Sequence, residues 1–163
     1  MKRKITDKLC EWKKQTKGRM PLLIYGARQV GKTFEMREFG AHYYKNTVYI
    51  NFETDEKIGS YFETDIHADS VVVLLEKYYQ VKIVPEETLI IFDEIQSLPM
   101  NTINLFNEIV SFLSKITNST ILLCSATQPL LEKTKRENLL LSEKPDLIAE
   151  TESYEDKLRR TRI

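Results

Sequence analysis

The residues whose types and spacing could do chemistry first occur between Gly26 and Thr33, where the chain reads GARQVGKT. Two glycines, a lysine and a threonine match G-x-x-x-x-G-K-T, the pattern of a phosphate-binding loop. An apolar run precedes this segment and a helical composition follows it, which is the strand–loop–helix setting that the motif requires. The pattern therefore predicts a loop that holds a nucleoside phosphate. A glycine-containing turn that matches by chance is the alternative.

Each residue type in this loop suits the binding of a phosphate. Glycines let the backbone curl so that successive N–H groups face a phosphate, at the positive end of the following helix. Lys32 would contact the β- and γ-phosphates as a point charge, and the Thr33 hydroxyl would be a ligand of Mg²⁺. We expect the whole segment to contact the nucleotide: Gly26, Ala27, Arg28, Gln29, Val30, Gly31, Lys32 and Thr33.

A second candidate for chemistry is LIIFDEIQ, Leu89 to Gln96, an apolar run that ends in two acids. A carboxylate at the end of a buried strand is costly unless positive charge meets it, and a magnesium ion on the phosphates would supply that charge. Asp93 is therefore predicted to support the metal, and Glu94 to orient or deprotonate an attacking water. Without the phosphate loop, the pair would be an ordinary strand end.

The elements that must position these residues alternate along the chain. Apolar or β-branched runs predict strands at Leu22–Tyr25, Thr47–Phe52, Leu89–Phe92 and Ile121–Ser125. Between them, helical periodicity predicts a first helix from Ile5 to near Gly18, then helices over Lys32–Tyr43, Asp69–Gln80 and Thr102–Ile116. Such alternation is typical of an α/β domain whose parallel sheet is covered on both faces. Beyond Gln128 we expect a helix over Leu130–Leu141 and a fifth short strand at Asp146–Ala149.

The composition limits the class of protein to which this chain can belong. The chain has 163 residues, 42% of them hydrophobic, which fits one globular domain. Its 24 basic and 24 acidic residues cancel, so no overall field attracts nucleic acid or lipid. The basic segment from Lys2 to Arg19 is a solvated helix face or, as the alternative, a phosphate contact. No apolar run could span a membrane, and two cysteines and two histidines support neither a disulfide framework nor a zinc site. We expect a cytoplasmic protein.

The motifs also carry family resemblances. Met1 to Gln96 resembles the bacterial and archaeal AAA-type P-loop ATPases in GARQVGKT, in VYINFE and in LIIFDEIQ. From Leu89 to Ile163 the chain instead resembles the first motor domain of the CRISPR-associated superfamily 2 helicase-nuclease, in DEIQSLP, NLFNEIVSFLSKI and LLCSATQP. The two resemblances overlap at DEIQ, so the sequence is interpreted as a hybrid joined there.

The resemblance implies a P-loop NTPase fold: a three-layer sandwich with a mostly parallel sheet of four to five strands and helices on both faces. Both families place the strand after the Asp-Glu strand between it and the phosphate-loop strand. Ser125 or Thr127 would then lie where a polar residue senses the γ-phosphate, or else would be a polar strand end with its hydrogen bonds satisfied. The expected organisation is one core over 20–128, with a basic amino-terminal helix at 1–19 and an extension over 129–163.

The function implied by these features is Mg²⁺-dependent ATP binding with weak hydrolysis. Hydrolysis should be slow because no arginine finger can be assigned, although a second copy or a partner protein could supply one. The available arginines in this chain are Arg136, Arg159, Arg160 and Arg162. Two alternatives remain: a truncated helicase motor acting on single-stranded DNA, and a nucleotide-dependent interaction module without turnover. The absence of an NKxD pattern favours adenine over guanine.

Overall fold

The computed structural model describes residues 4–16, 18–62, 67–126 and 139–142. In chain order, their elements are α1 (Lys4–Lys13), β1 (Leu22–Tyr25), α2 (Lys32–Tyr43), β2 (Asn46–Asn51), α3 (Glu56–Tyr61), α4 (Ala68–Tyr79), β3 (Thr88–Asp93), a 3₁₀ turn (Ile95–Ser97), α5 (Ile103–Lys115) and β4 (Thr120–Ser125).

The four strands form one parallel sheet in the order β1-β4-β3-β2. The last strand along the described chain therefore lies between the first and the third, as expected. The register pairs Tyr25 with Ser125 and Asn51 with Asp93, so the carboxyl ends of all four strands meet at one edge. In parallel α/β sheets, ligands bind at this edge.

Each face of the sheet is buried under its own helices. Alternate residues of the strands, such as Ile50, Ile90 and Leu123, pack with α3, α4 and α5. The intervening residues, such as Ile24 and Ile91, pack with α1 and α2 on the other face. Because both faces are covered, the strands read as continuous apolar runs. The architecture is the predicted α/β P-loop NTPase fold with three layers.

Part of the basic amino-terminal segment belongs to the core rather than to solvent. Arg19 is only 6% exposed; its guanidinium donates to Thr120 Oγ1 at 2.6 Å and pairs with Glu86 Oε2 at 2.6 Å. Trp12 on α1 is also buried, and its indole N–H donates to the Met20 carbonyl at 3.0 Å. Trp12 and Arg19 therefore hold α1, and the residues just before β1, against the sheet.

Several element boundaries differ from the sequence prediction. α1 ends at Lys13, and α3 was missed because its six residues are too few to show periodicity. Asp55 begins α3 by accepting the Ile58 N–H at 3.4 Å. The helix predicted as far as Leu141 is wrong at its end: residues 139–142 are not helical, and the Ser142 N–H donates to the Pro21 carbonyl at 2.9 Å.

The earlier part of that helix and the strand predicted at Asp146–Ala149 lie outside the described residues. Among the described helices, none combines the length and the apolar composition that a membrane span requires.

Close packing of α2 on β2 predicts that Gly40→Ala destabilises the fold. A Cβ at Gly40 would lie 2.9 Å from Thr47 Cγ2 and nearer still to Thr47 Oγ1, so rotating Thr47 only exchanges one clash for another. We expect a loss of about 1–3 kcal/mol in the free energy of unfolding, measured by urea denaturation. Gly59→Ala on α3 is the matched control, because a Cβ there meets no atom within 4 Å. Equal stability of the two variants would contradict this packing.

Candidate nucleotide-binding site

The phosphate loop joins β1 to α2 at the carboxyl edge of the sheet. Gly26 and Gly31 have φ values of 155° and 89°, a region that residues with a Cβ rarely adopt. Gly31 is also the residue that caps α2, so the helix begins at Lys32 directly after the turn. The first N–H groups of a helix have no partner within it and lie at its positive end. The loop therefore presents main-chain donors where an anion would bind.

Lys32 folds back over its own loop. Its ammonium donates to the carbonyls of Gly26 and Ala27 at 2.7 and 2.8 Å, and the residue is 6% exposed. Within the described segments, no carboxylate lies within ion-pair distance of this ammonium. A buried cation that is satisfied only by neutral oxygens would gain from a nearby anion.

The two predicted motifs meet at one hydrogen bond. The Thr33 hydroxyl donates to Asp93 Oδ2 at 2.8 Å, linking the start of α2 to the end of β3. Asp93 is fully buried, and its Oδ1 accepts the Glu94 N–H at 2.9 Å. The phosphate loop and the acidic strand end therefore border the same site.

Tyr49 on β2 is a third donor to Asp93 that the sequence analysis missed. Its hydroxyl donates to Asp93 Oδ2 at 2.7 Å and accepts from the Asn51 amide at 3.3 Å. Burial raises the pKa of Tyr49 to about 12, and its hydrogen bond to Asp93 acts in the same direction. The Arg37 guanidinium lies 4.8 Å from the ring centroid. Tyr49 therefore remains a hydrogen-bond donor over the physiological pH range.

Glu94 and the phosphate loop line the same open cleft, which has a volume of about 460 Å³. Its backbone is left-handed, with φ 55°, which turns the chain out of β3 and into the 3₁₀ turn. The Arg28 guanidinium lies 3.9 Å from the Glu53 carboxylate, and both side chains are exposed. The residues that line the cleft are Arg28, Gln29, Gly31, Lys32, Thr33, Phe34, Glu53 and Glu94. Glu53 was also missed, because nothing in its sequence context distinguishes it from the surrounding acids.

The remaining predicted residues have mixed outcomes. Ser125 is buried at the end of β4, and its hydroxyl donates to Gln96 Oε1 at 2.8 Å. Ala27 contributes its carbonyl to Lys32, whereas Val30 belongs to the loop but does not line the cleft. Thr127 and the four arginines considered as fingers lie outside the described residues.

Cys124 lies on β4 beside the acidic strand end. It is fully buried, and burial together with the nearby Asp93 raises the pKa of its thiol. Its thiol is therefore neutral and packs in the core next to the site.

The oxygen donors at this point suit magnesium. A hydroxyl from Thr33 and a carboxylate from Asp93 are hard ligands, which Mg²⁺ prefers. In the segments that the structure describes, no cluster of three or more His, Cys, Asp or Glu could hold a metal by itself. Mg²⁺ is commonly bound by one or two protein oxygens together with substrate phosphates, so two protein ligands are enough here.

Two solved structures are similar in fold to this chain. One is PCH-2 of C. elegans, with a TM-score of 0.54 and 14% identity, over 79% of this chain and 38% of that one. The other is a DNA replication initiation factor, with a TM-score of 0.50 and 18% identity, over 85% of this chain and 42% of that one. The chain therefore spans less than half the length of either. No curated protein matches it.

A family model for the AAA domain matches residues 18–141. The matched range includes the DEIQ segment, where the sequence analysis placed a junction, as well as α5 and β4 after it. The AAA resemblance therefore extends well beyond the first half of the chain, and the comparisons do not support a helicase segment or a CRISPR association. Because this match covers more than half of the chain and includes the phosphate loop and both acids, the protein belongs to the AAA domain family of nucleotide-binding P-loop ATPases.

Proposed function

We propose that this domain binds ATP with Mg²⁺ and hydrolyses it slowly, with the loop from Gly26 to Thr33 holding the triphosphate. The observation that carries the proposal is the 2.8 Å hydrogen bond from the Thr33 hydroxyl to Asp93 Oδ2. This bond joins the two predicted motifs, which supports a shared role for them. The family match gives the coarser function of a nucleotide-binding ATPase.

Binding begins with an exchange of partners at Lys32. The ammonium leaves the carbonyls of Gly26 and Ala27 and donates to the β- and γ-phosphate oxygens. Charged acceptors form the stronger hydrogen bonds, so the exchange favours the bound state. The N–H groups at the start of α2 hold the remaining phosphate oxygens.

Thr33 and Asp93 are the residues that would hold the metal. When bound, Mg²⁺ neutralises the charge that develops on the phosphate oxygens. To offer an oxygen lone pair, the Thr33 hydroxyl turns its proton away from Asp93. The donors from Tyr49 and from the Glu94 N–H stay in place, so the carboxylate keeps its orientation during this change.

Glu94 orients the attacking water and accepts its proton. Ser125, at the end of β4, would lie near the γ-phosphate. Hydrolysis is slow in this proposal because no arginine in the described part of the chain is assigned to the γ-phosphate. A neighbouring copy or another protein that inserts such a residue would raise the rate by about 10³- to 10⁵-fold.

Lys32→Ala should weaken MgATP binding by about tenfold or more. A hydrogen bond to a charged group contributes about 1.5–3 kcal/mol, and each 1.4 kcal/mol corresponds to a factor of ten in affinity. Isothermal titration calorimetry measures the change. Lys45→Ala is the control, because Lys45 is an exposed lysine that pairs with Glu87 at the amino-terminal end of β2. Unchanged affinity in Lys32→Ala would show that the loop does not hold the triphosphate.

Glu94→Gln should leave MgATP affinity within about twofold and reduce phosphate release by about a hundredfold, the scale of a positioned general base. Phosphate release is measured with and without single-stranded DNA and over a range of protein concentrations. Stimulation by DNA would support the helicase-motor alternative. ATP binding without phosphate release under every condition would support an interaction module. A rate per chain that rises with concentration would indicate that a second copy contributes to the site.

Tyrosine ionisation is followed by absorbance at alkaline pH. Tyr49→Phe should remove one phenol from this titration, the one whose pKa is about 12 rather than 10. Because the folded-state pKa is raised, the stabilisation from the protonated hydroxyl is fully present below pH 10. It is lost as the pH rises through 12. Denaturation midpoints of the wild type and Tyr49→Phe should therefore converge over that interval. A difference titration centred near pH 10 would contradict the buried contact with Asp93.

A further inference from the structure

Gln96 bridges two elements that the proposed mechanism otherwise treats separately. It lies in the 3₁₀ turn, two residues after Glu94. Its side-chain Nε2 donates to Glu94 Oε2. Its Oε1 accepts from the Ser125 hydroxyl at 2.8 Å and from the Ala126 N–H at 3.2 Å. One amide therefore links the carboxylate that we propose orients the water, Glu94 after β3, to the end of β4.

The chemistry of these partners fixes which way the amide points. An ionised carboxylate only accepts hydrogen bonds, and a backbone N–H only donates them. The amide nitrogen must therefore face Glu94, and the amide oxygen must face Ala126. Neither partner would tolerate the flipped orientation, so the side chain has one arrangement that satisfies every group.

The turn also fixes the position of this side chain. The Ser97 N–H donates to the Glu94 carbonyl at 2.9 Å, and the Leu98 N–H donates to the Ile95 carbonyl at 3.2 Å. Ile95 and Leu98 are buried in the same core cluster as β3 and β4. The backbone that carries Gln96 is therefore anchored on both sides, and the side chain reaches both partners from a rigid base.

We propose that Gln96 is a positioning residue for hydrolysis: it holds one oxygen of the Glu94 carboxylate and ties that carboxylate to the end of β4. The proposal rests on the proposed function and deepens it. Because Gln96 occupies Oε2, the Glu94 carboxylate has one defined orientation, with Oε1 as the oxygen that receives the water proton.

The bridge requires the length and the polarity of glutamine. Asparagine is one methylene shorter, so it cannot reach both partners from the same backbone. Glutamate would place a second negative charge beside the Glu94 carboxylate. It would also lack the amide N–H that donates to that carboxylate. Methionine has a similar length but offers neither the donor nor the strong acceptor, so Gln96→Met removes the bridge with little change in volume.

The test compares the wild type with Gln96→Met by phosphate release and by MgATP titration, using the full chain. We expect kcat to fall by about ten- to a hundredfold, the effect of misplacing a reacting group by about 1 Å, with MgATP affinity within twofold. Gln96→Asn should lose a similar factor. Ser97→Ala is the matched control, because this exposed neighbour contributes only its backbone to the turn. Thermal melting checks that each variant is folded.

Two further measurements separate positioning from a purely structural role. In a Glu94→Gln background, Gln96→Met should cause no further loss of the residual rate, because Gln96 acts through Glu94. Amide hydrogen exchange should show faster exchange at Ala126 in Gln96→Met, because its N–H loses the amide oxygen that accepts it.

The outcomes are distinguishable. A wild-type chain that binds ATP but releases no phosphate contradicts the proposed function. A wild-type chain that hydrolyses ATP while Gln96→Met keeps its kcat contradicts this assignment alone. A higher kcat in Gln96→Met also overturns it, because the bridge would then restrain Glu94 instead of orienting it. An equal loss in the Glu94→Gln background would show that Gln96 acts on something other than Glu94.

Discussion

The structure depends on the burial of one carboxylate. Asp93 is inaccessible to solvent at the end of β3, and it is held by donors from three different elements: Thr33 on α2, Tyr49 on β2 and the Glu94 main chain. A buried charge without such partners would cost several kcal/mol. The three elements must therefore keep their relative positions for the chain to fold. That constraint also brings the phosphate loop, the second strand and the second acid to one edge of the sheet.

The same arrangement explains how a stable core and an adaptable site coexist. The apolar faces of β3 and β4 are sealed by helices on both sides, whereas their carboxyl ends carry polar groups that exchange partners. Lys32 is satisfied by carbonyls of its own loop, and Glu94 by an amide from the following turn. The Lys32 contacts can be given up for a phosphate without exposing apolar surface. The Gln96 amide keeps Oε2 of Glu94 and leaves Oε1 for a water. The chemistry is therefore separated from the packing that supports it.

Much of this could be predicted from local sequence. β1 was predicted to the residue, and the glycine loop and the acidic pair followed from patterns that are short and chemically demanding. The position of β4 between β1 and β3 followed from the family resemblance. Tyr49 and Gln96 could not be predicted, because their roles depend on which strands are neighbours and on the pairing register. The helicase resemblance rested on DEIQSLP, NLFNEIVSFLSKI and LLCSATQP, and two of these three segments contain the polar end of a strand. Parallel α/β sheets place polar residues at these ends whatever the family, so the resemblance did not discriminate between families.

The position of β4 has a consequence for how the molecule forms. β1 and β3 have no direct contact as strands; each pairs with β4, which is nearly a hundred residues away from β1 along the chain. A nascent chain that has released only its first three strands therefore leaves both of those strands with an open edge. An open strand edge can form hydrogen bonds with a strand of another chain, which leads to aggregation. The order of synthesis therefore keeps these two strand edges open until β4 is inserted between them.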